Sequence, residues 1–236
     1  MQAIDDPEYD IEKETAGNRT MLEERIPARL NNIKRALVEN GRGFEPWQLA
    51  LTVDLVQSVE RNCEELLDTI GKSRLPTSAW LARNLLELWV WVKFCGVSRE
   101  NAWRFHEDAL RDAKSLKESH KKISDAIGIE DEISATASQR LEAVASEELG
   151  LEDIDANFLA VAKASKAARV ELDGLFAPFY RLLSKFAHPT AGLVHGIMHQ
   201  TEVCRHLQAT CTTQGIHFAA QSILAVEAQL GIARED

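Results

Sequence analysis

The stretch Ala79-Trp80-Leu81-Ala82-Arg83-Asn84-Leu85-Leu86-Glu87-Leu88-Trp89-Val90-Trp91-Val92 decides the fold. Its apolar residues point in every direction around a helix, and only Arg83, Asn84 and Glu87 interrupt them. A helix that is apolar almost all round has to be enclosed by other helices. The spacing therefore predicts a central helix over about 77–95, capped by Thr77 or Ser78 and ending near Gly96. Leu85–Val92 is too short, and Glu87 too polar, for this run to span a membrane.

Helical signals recur on both sides. Leu30, Ile33 and Leu37 define one face of a helix over Pro27–Glu39, ended by Gly41-Arg42-Gly43. Pro46 opens a second helix that runs to Ile70, with Gly71 at its C-terminal cap. Ser98 caps a long helix through Ile127 whose mixed-sign charges predict a solvent-facing surface, and Gly128 stops it. An amphipathic stretch over Ile133–Leu149 follows, so that 98–150 reads as a projecting charged helical hairpin. The C-terminal third reads as helices over Asn157–Leu172, Leu175–Ala187, a segment after Pro189 and Gly192 to Thr212, and Ile216–Leu230. No sustained alternation of period two occurs, and no hairpin is built on an Asn-Gly or Asp-Gly turn. The expected fold is an all-α multi-helix bundle: an acidic flexible arm over 1–18, then one domain over 19–236.

Composition narrows the function classes. A hydrophobic content of 45% with 27% charged residues suits a globular protein with a sizeable core. The N-terminus is acidic where a secretory signal would be basic and then apolar, and Cys63, Cys95, Cys204 and Cys211 have no zinc-ribbon spacing. Those features predict a cytoplasmic protein with reduced thiols and no membrane partner. The net charge of −10 argues against a protein that coats nucleic acid non-specifically. Residues 1–24 carry eight acidic and two basic side chains, however, whereas 163–205 carry six basic and three acidic ones. A local phosphate site is compatible with that asymmetry.

Arg181, Ser184 and His188 fall at i, i+3 and i+7, within one narrow helical stripe. A guanidinium can neutralise phosphate oxygens in bidentate fashion, and imidazole moves a proton near neutral pH. With RNA the 2′-hydroxyl is a built-in nucleophile, so this chemistry requires no cofactor. The same spacing also suits a solvent-facing Arg181 and a His188 making a helix-end contact before Pro189. Arg83 and Glu87, at i and i+4, can form an ion pair that fixes helix packing. Alternatively, one of them reaches His188 and orients it.

Phe179-Tyr180-Arg181-Leu182-Leu183-Ser184-Lys185-Phe186-Ala187-His188-Pro189-Thr190 resembles the Y-R-x-L-S-x-x-x-H-P-[ST] segment of an uncharacterised bacterial domain-of-unknown-function family. Ala82-Arg83-Asn84-Leu85-Leu86-Glu87 resembles that family's A-R-x-x-x-E helix. More broadly, an Arg-x(4 to 6)-His motif on a late helix of a bundle resembles the HEPN superfamily (higher eukaryotes and prokaryotes nucleotide-binding domains). That resemblance implies RNA or nucleotide binding, metal-independent endoribonuclease or toxin activity in bacterial defence, and a homodimer with the motif at its seam. It implies Arg181 and His188 as catalytic residues, with Tyr180, Ser184, Lys185, Arg83 and Glu87 in support. Many HEPN nucleases carry a polar residue directly after the Arg, whereas Leu182 stands here.

Two further readings use the same region. One is a non-enzymatic helical module whose polar stripe holds a dimer or another protein partner. The other is a metal site: His195, His199 and Glu202 fall at i, i+4 and i+7, with His206 a turn further on, and His-x3-His is a zinc-compatible spacing.

Overall fold

The computed structural model describes residues 10–40, 43–128, 158–169, 176–188 and 201–232, with positions 136, 139–140, 143, 146–147 and 190. It is an all-α bundle, with no strand among the described residues. The helices are α1 (Ile11–Thr20), α2 (Ile26–Asn40), α3 (Pro46–Thr69), α4 (Leu75–Val97), α5 (Arg99–Ile127), α6 (Val161–Ala167), α7 (Phe176–Ala187) and α8 (Thr201–Gln229). No helix among the described residues is long and apolar enough to cross a membrane.

The central helix is α4. It packs against α3, α5, α6, α7 and α8, and Leu81, Ala82, Leu85, Leu86 and Val90 are wholly buried. Each buried leucine contributes roughly 1.5–3 kcal/mol of apolar transfer, before the entropy of ordering the chain is set against it. The helix begins earlier than its sequence suggests. Leu75 and Pro76 open it, and the buried Ser78 donates instead to Thr69 Oγ1 of α3 at 2.9 Å. A serine inside the first turn is thus spent on joining two helices.

Several boundaries follow from local chemistry. Pro46 starts α3 without forfeiting a hydrogen bond, and Gly71, at φ +80°, takes the left-handed turn after its end. Ser98 Oγ caps α5 by accepting from the Asn101 N–H at 3.1 Å, and Gly128, at φ +68°, closes that helix. On α2, Leu30, Ile33 and Leu37 are buried as their spacing requires.

Three differences from the sequence reading have physical causes. Ile11–Thr20 is a helix where an acidic arm is expected. Asp10 caps it through the N–H groups of Glu12 and Lys13, and buried Asn18 donates to Thr213 Oγ1 of α8 at 3.0 Å. Five residues of π-helix, Met21–Arg25, carry the chain on into α2. Second, α8 is one continuous helix through Gly215. A β-carbon at that position would lie 2.8 Å from Leu66 Cδ2 and 3.3 Å from Ala82 Cα, so the glycine permits close helix approach and breaks nothing. Third, Trp80 faces solvent at 48% exposure instead of joining the core, whereas Trp89 is buried. The Ile133–Leu149 stretch and the far half of the expected 98–150 hairpin lie almost wholly outside the described residues. Within α5, Trp103 meets Trp47 edge-on at 5.0 Å and buried Arg111 bonds Asp108 at 2.7 Å, so one face of its first half is packed, while Arg99, Glu100, Ala109 and Asp112 stay exposed.

Candidate functional site

The site is built where α7 lies along α4. Phe176 and Leu183 of α7 are buried, and Phe179 meets Phe218 of α8 edge-on at 5.6 Å. Each step along a helix turns the side chain by about 100°. Burying Phe176 and Leu183 therefore puts Tyr180 at the edge of the contact with α4 and turns Arg181 and Lys185 to solvent, where both are exposed. The helix ends at Ala187, and the His188 N–H still bonds the Ser184 carbonyl at 3.3 Å. Its side chain is exposed.

Arg83 of α4 is the hub. Its Nε donates to Glu87 Oε1 at 3.1 Å, one turn along the same helix. Its guanidinium lies 4.5 Å from the centroid of the Tyr180 ring and donates to the Tyr180 hydroxyl. Another guanidinium nitrogen stands 3.1 Å from His188 Nε2. Arginine has no acceptor, so the bond requires Nε2 to present its lone pair, which puts the ring proton on Nδ1. With the Arg83 and Glu87 side chains 22% and 30% exposed, the ion pair is half-shielded from water, and its value in stability is correspondingly modest.

The remaining expected site residues are placed as follows. Arg181 lies on α7, which ends one residue before His188, and no hydrogen bond or ion pair to its guanidinium occurs among the described residues. Ser184 Oγ donates to the Tyr180 carbonyl at 2.6 Å, which ties the hydroxyl to its own helix. The Lys185 carbonyl accepts from Thr190 Oγ1 at 3.4 Å, while its ammonium is directed to solvent. The structure thus brings together Arg83, Glu87, Tyr180 and His188, and leaves Arg181 and Lys185 as exposed cations on the neighbouring face. The arginine bonded to His188 lies 105 residues away in the chain, a proximity that helical spacing within 181–188 has no means of revealing.

Glu202 is exposed in the first turn of α8, where its backbone carbonyl contacts His206 Nδ1 at 3.0 Å. His195 and His199 lie outside the described residues. Among the described residues, no three His, Cys, Asp or Glu side chains stand together as a metal ion would need. Cysteine chemistry is equally unsupported, because burial pushes the thiols of Cys63 and Cys211 up to about 12.

A cavity of about 460 Å³ lies elsewhere, between α1, the α3–α4 turn and α8, lined by Arg19, Lys72, Arg205 and Gln208 among others. Arg19 is paired with Glu23 and Lys72 with Asp68, and Gln208 is fully bonded to backbone. No histidine is among its lining residues, whereas in the other cluster His188 stands beside Arg83.

No curated protein matches the chain, and neither does any solved structure. A family model covers residues 52–202, a span that includes α4, α7 and all four clustered side chains. By that match the chain belongs to DUF5677, a family of unknown function.

Proposed function

We propose that the Arg83–His188 pair is the phosphate site of an RNA- or nucleotide-binding protein, and that with RNA it cleaves the phosphodiester without a metal. The observation that carries this reading is the exposed imidazole whose Nε2 is held 3.1 Å from a guanidinium fixed by Glu87 and Tyr180. A fixed guanidinium next to a proton-transferring ring is what a phosphoryl centre needs, because charge and a proton must both be managed there. The resemblance of the motif to the HEPN superfamily points the same way.

In this reading a phosphate oxygen takes over the Arg83 N–H that His188 accepts in the free protein. That frees the Nε2 lone pair to remove the proton from an RNA 2′-hydroxyl. The 2′-oxygen then attacks phosphorus, the bond to the 5′-oxygen breaks, and the leaving oxygen is protonated by the imidazolium. The products are a 2′,3′-cyclic phosphate and a 5′-hydroxyl end. Glu87 keeps Arg83 in place, while Arg181 and Lys185 contact flanking phosphates. Leu182, 40% exposed beside Arg181, supports a homodimer with α7 near its seam.

Cleavage of RNA in EDTA tests the reading. Wild-type protein cleaves, and His188→Ala loses about 10²–10⁴-fold in rate, the usual span of general acid–base catalysis. Equal cleavage by the variant removes His188 from the chemistry.

A further inference from the structure

Of the five tryptophans in the chain, Trp47, Trp91 and Trp103 are half-buried, Trp89 is buried, and Trp80 alone is exposed. Burying an indole stabilises a fold strongly, so one left in water on the central core helix calls for a reason. Among the described residues no aromatic ring stacks on it.

Its position supplies that reason. Trp80 precedes Arg83 by three residues, so the two side chains leave neighbouring turns of the same helical face, with Cβ atoms roughly 5–6 Å apart. Arg83, one turn further along α4, meets both Tyr180 and His188 of the α7 segment. An exposed indole thus lies one helical turn before the arginine of the guanidinium–imidazole pair, on the side away from Glu87, which lies one turn after it.

We infer that Trp80 is a stacking shelf for a nucleobase, so that the ligand of this site is a nucleobase-bearing phosphate and not a bare phosphate ester. This rests on the phosphate reading of the Arg83–His188 pair. A base and its phosphate are separated by a single sugar ring, a separation of the same order as that between neighbouring helical turns. Stacking is tolerant of base identity, so the shelf selects nucleotides as a class.

The test compares adenosine 5′-monophosphate, a short oligoadenylate and ribose 5-phosphate, each titrated into the full chain by calorimetry and by tryptophan fluorescence. The wild type is expected to bind both adenine ligands about 5–150-fold more tightly than ribose 5-phosphate, the range that one base–aromatic stack spans. Trp80→Ala collapses that ratio towards one. Trp80→Phe keeps most of the ratio but loses the fluorescence quenching that the adenine ligands produce. An oligoadenylate preference over the mononucleotide that persists in Trp80→Phe assigns the site to RNA; parity assigns it to mononucleotides, and either supports the shelf. A wild-type ratio near one, or a ratio unchanged in Trp80→Ala, overturns the shelf while leaving the phosphate site standing. So does a change in oligomeric mass in Trp80→Ala with the ratio intact, because the indole then serves a protein contact. If none of the three ligands binds, the phosphate reading falls, and the shelf falls with it.

Discussion

Replacing Gln208 by leucine perturbs the junction that aims α4. Gln208 is 9% exposed, and its amide spans the α3–α4 turn. Nε2 donates to the Thr69 and Lys72 carbonyls at 2.8 and 2.7 Å, and Oε1 accepts from the Arg74 N–H at 2.9 Å. Leucine is of similar bulk, so little cavity is created, and the cost is that of three hydrogen bonds to groups that each keep one backbone partner, Lys72 N–H on the Thr69 carbonyl at 3.1 Å and Arg74 N–H on the Lys72 carbonyl at 2.9 Å. The Thr69 bond is buried, and losing it costs about 0.5–1.5 kcal/mol, the net worth of one such bond. The other two bonds are part-buried, and water recovers some of their loss. We expect a net destabilisation of about 1–3 kcal/mol. A loss of about 2 kcal/mol lowers the midpoint of thermal unfolding by about 4–8 °C in a chain of this size. Urea titration followed by far-UV circular dichroism measures it, with Thr210→Ala, an exposed site on the same helix, expected within about 0.5 kcal/mol of wild type. A Gln208→Leu protein within about 0.5 kcal/mol of wild type, at unchanged m, refutes the assignment of that junction to the glutamine.

Other expectations follow from packing and burial. Gly215→Val should destabilise by more than about 1 kcal/mol in the same titration although valine favours the helix over glycine, because its side chain is driven into Leu66 and Ala82. Wild-type stability in that variant means the helices part freely there. Burial lowers the pKa of His106, which sits between Trp47 and Trp103 and whose Nε2 has no hydrogen-bond partner among the described residues. The unfolded chain then takes up the proton first, so this histidine's contribution to stability is lost as pH falls below about 6.5, by at most about 1.4 kcal/mol per pH unit. His106→Phe should flatten that part of the stability–pH curve, and an unaltered curve contradicts the reasoning. Iodoacetamide at pH 8, read out by peptide mass mapping, should spare Cys63 and Cys211 in the native protein and label both in guanidinium; labelling in the folded state contradicts their burial.

The sequence is most legible where local chemistry acts alone. Ser98 begins a helix through its own side-chain oxygen, Gly71 and Gly128 end helices through their backbone geometry, and α4 declares its central place by being apolar all round. It is least legible where a residue answers to a partner far along the chain. Gly215 reads as a helix break until Leu66 and Ala82 are placed against it. The acidic residues of 10–18 read as an arm until Asn18 is seen bonded to Thr213. Helical spacing over 181–188 points to Arg181 as the companion of His188, but α7 ends at Ala187, one residue short of the histidine. Arg83 takes that position through tertiary packing, and its four-residue spacing to Glu87 signals the ion pair but not the histidine beyond it. Trp80 offers the opposite lesson: its apolar neighbours suggest burial, while the face it occupies is open.

In the proposed function Arg83 and His188 bind one phosphate together, and nitrogen-15 histidine NMR reads this directly. In the free protein, at a pH where the ring is neutral, His188 should carry its proton on Nδ1, with Nε2 accepting from Arg83. Adding adenosine 5′-monophosphate should shift the Nε2 resonance saturably as that bond is exchanged, and Arg83→Met should abolish both the starting bond and the shift. A His188 whose resonances stay fixed while the nucleotide or RNA demonstrably binds rules out a phosphate shared with Arg83.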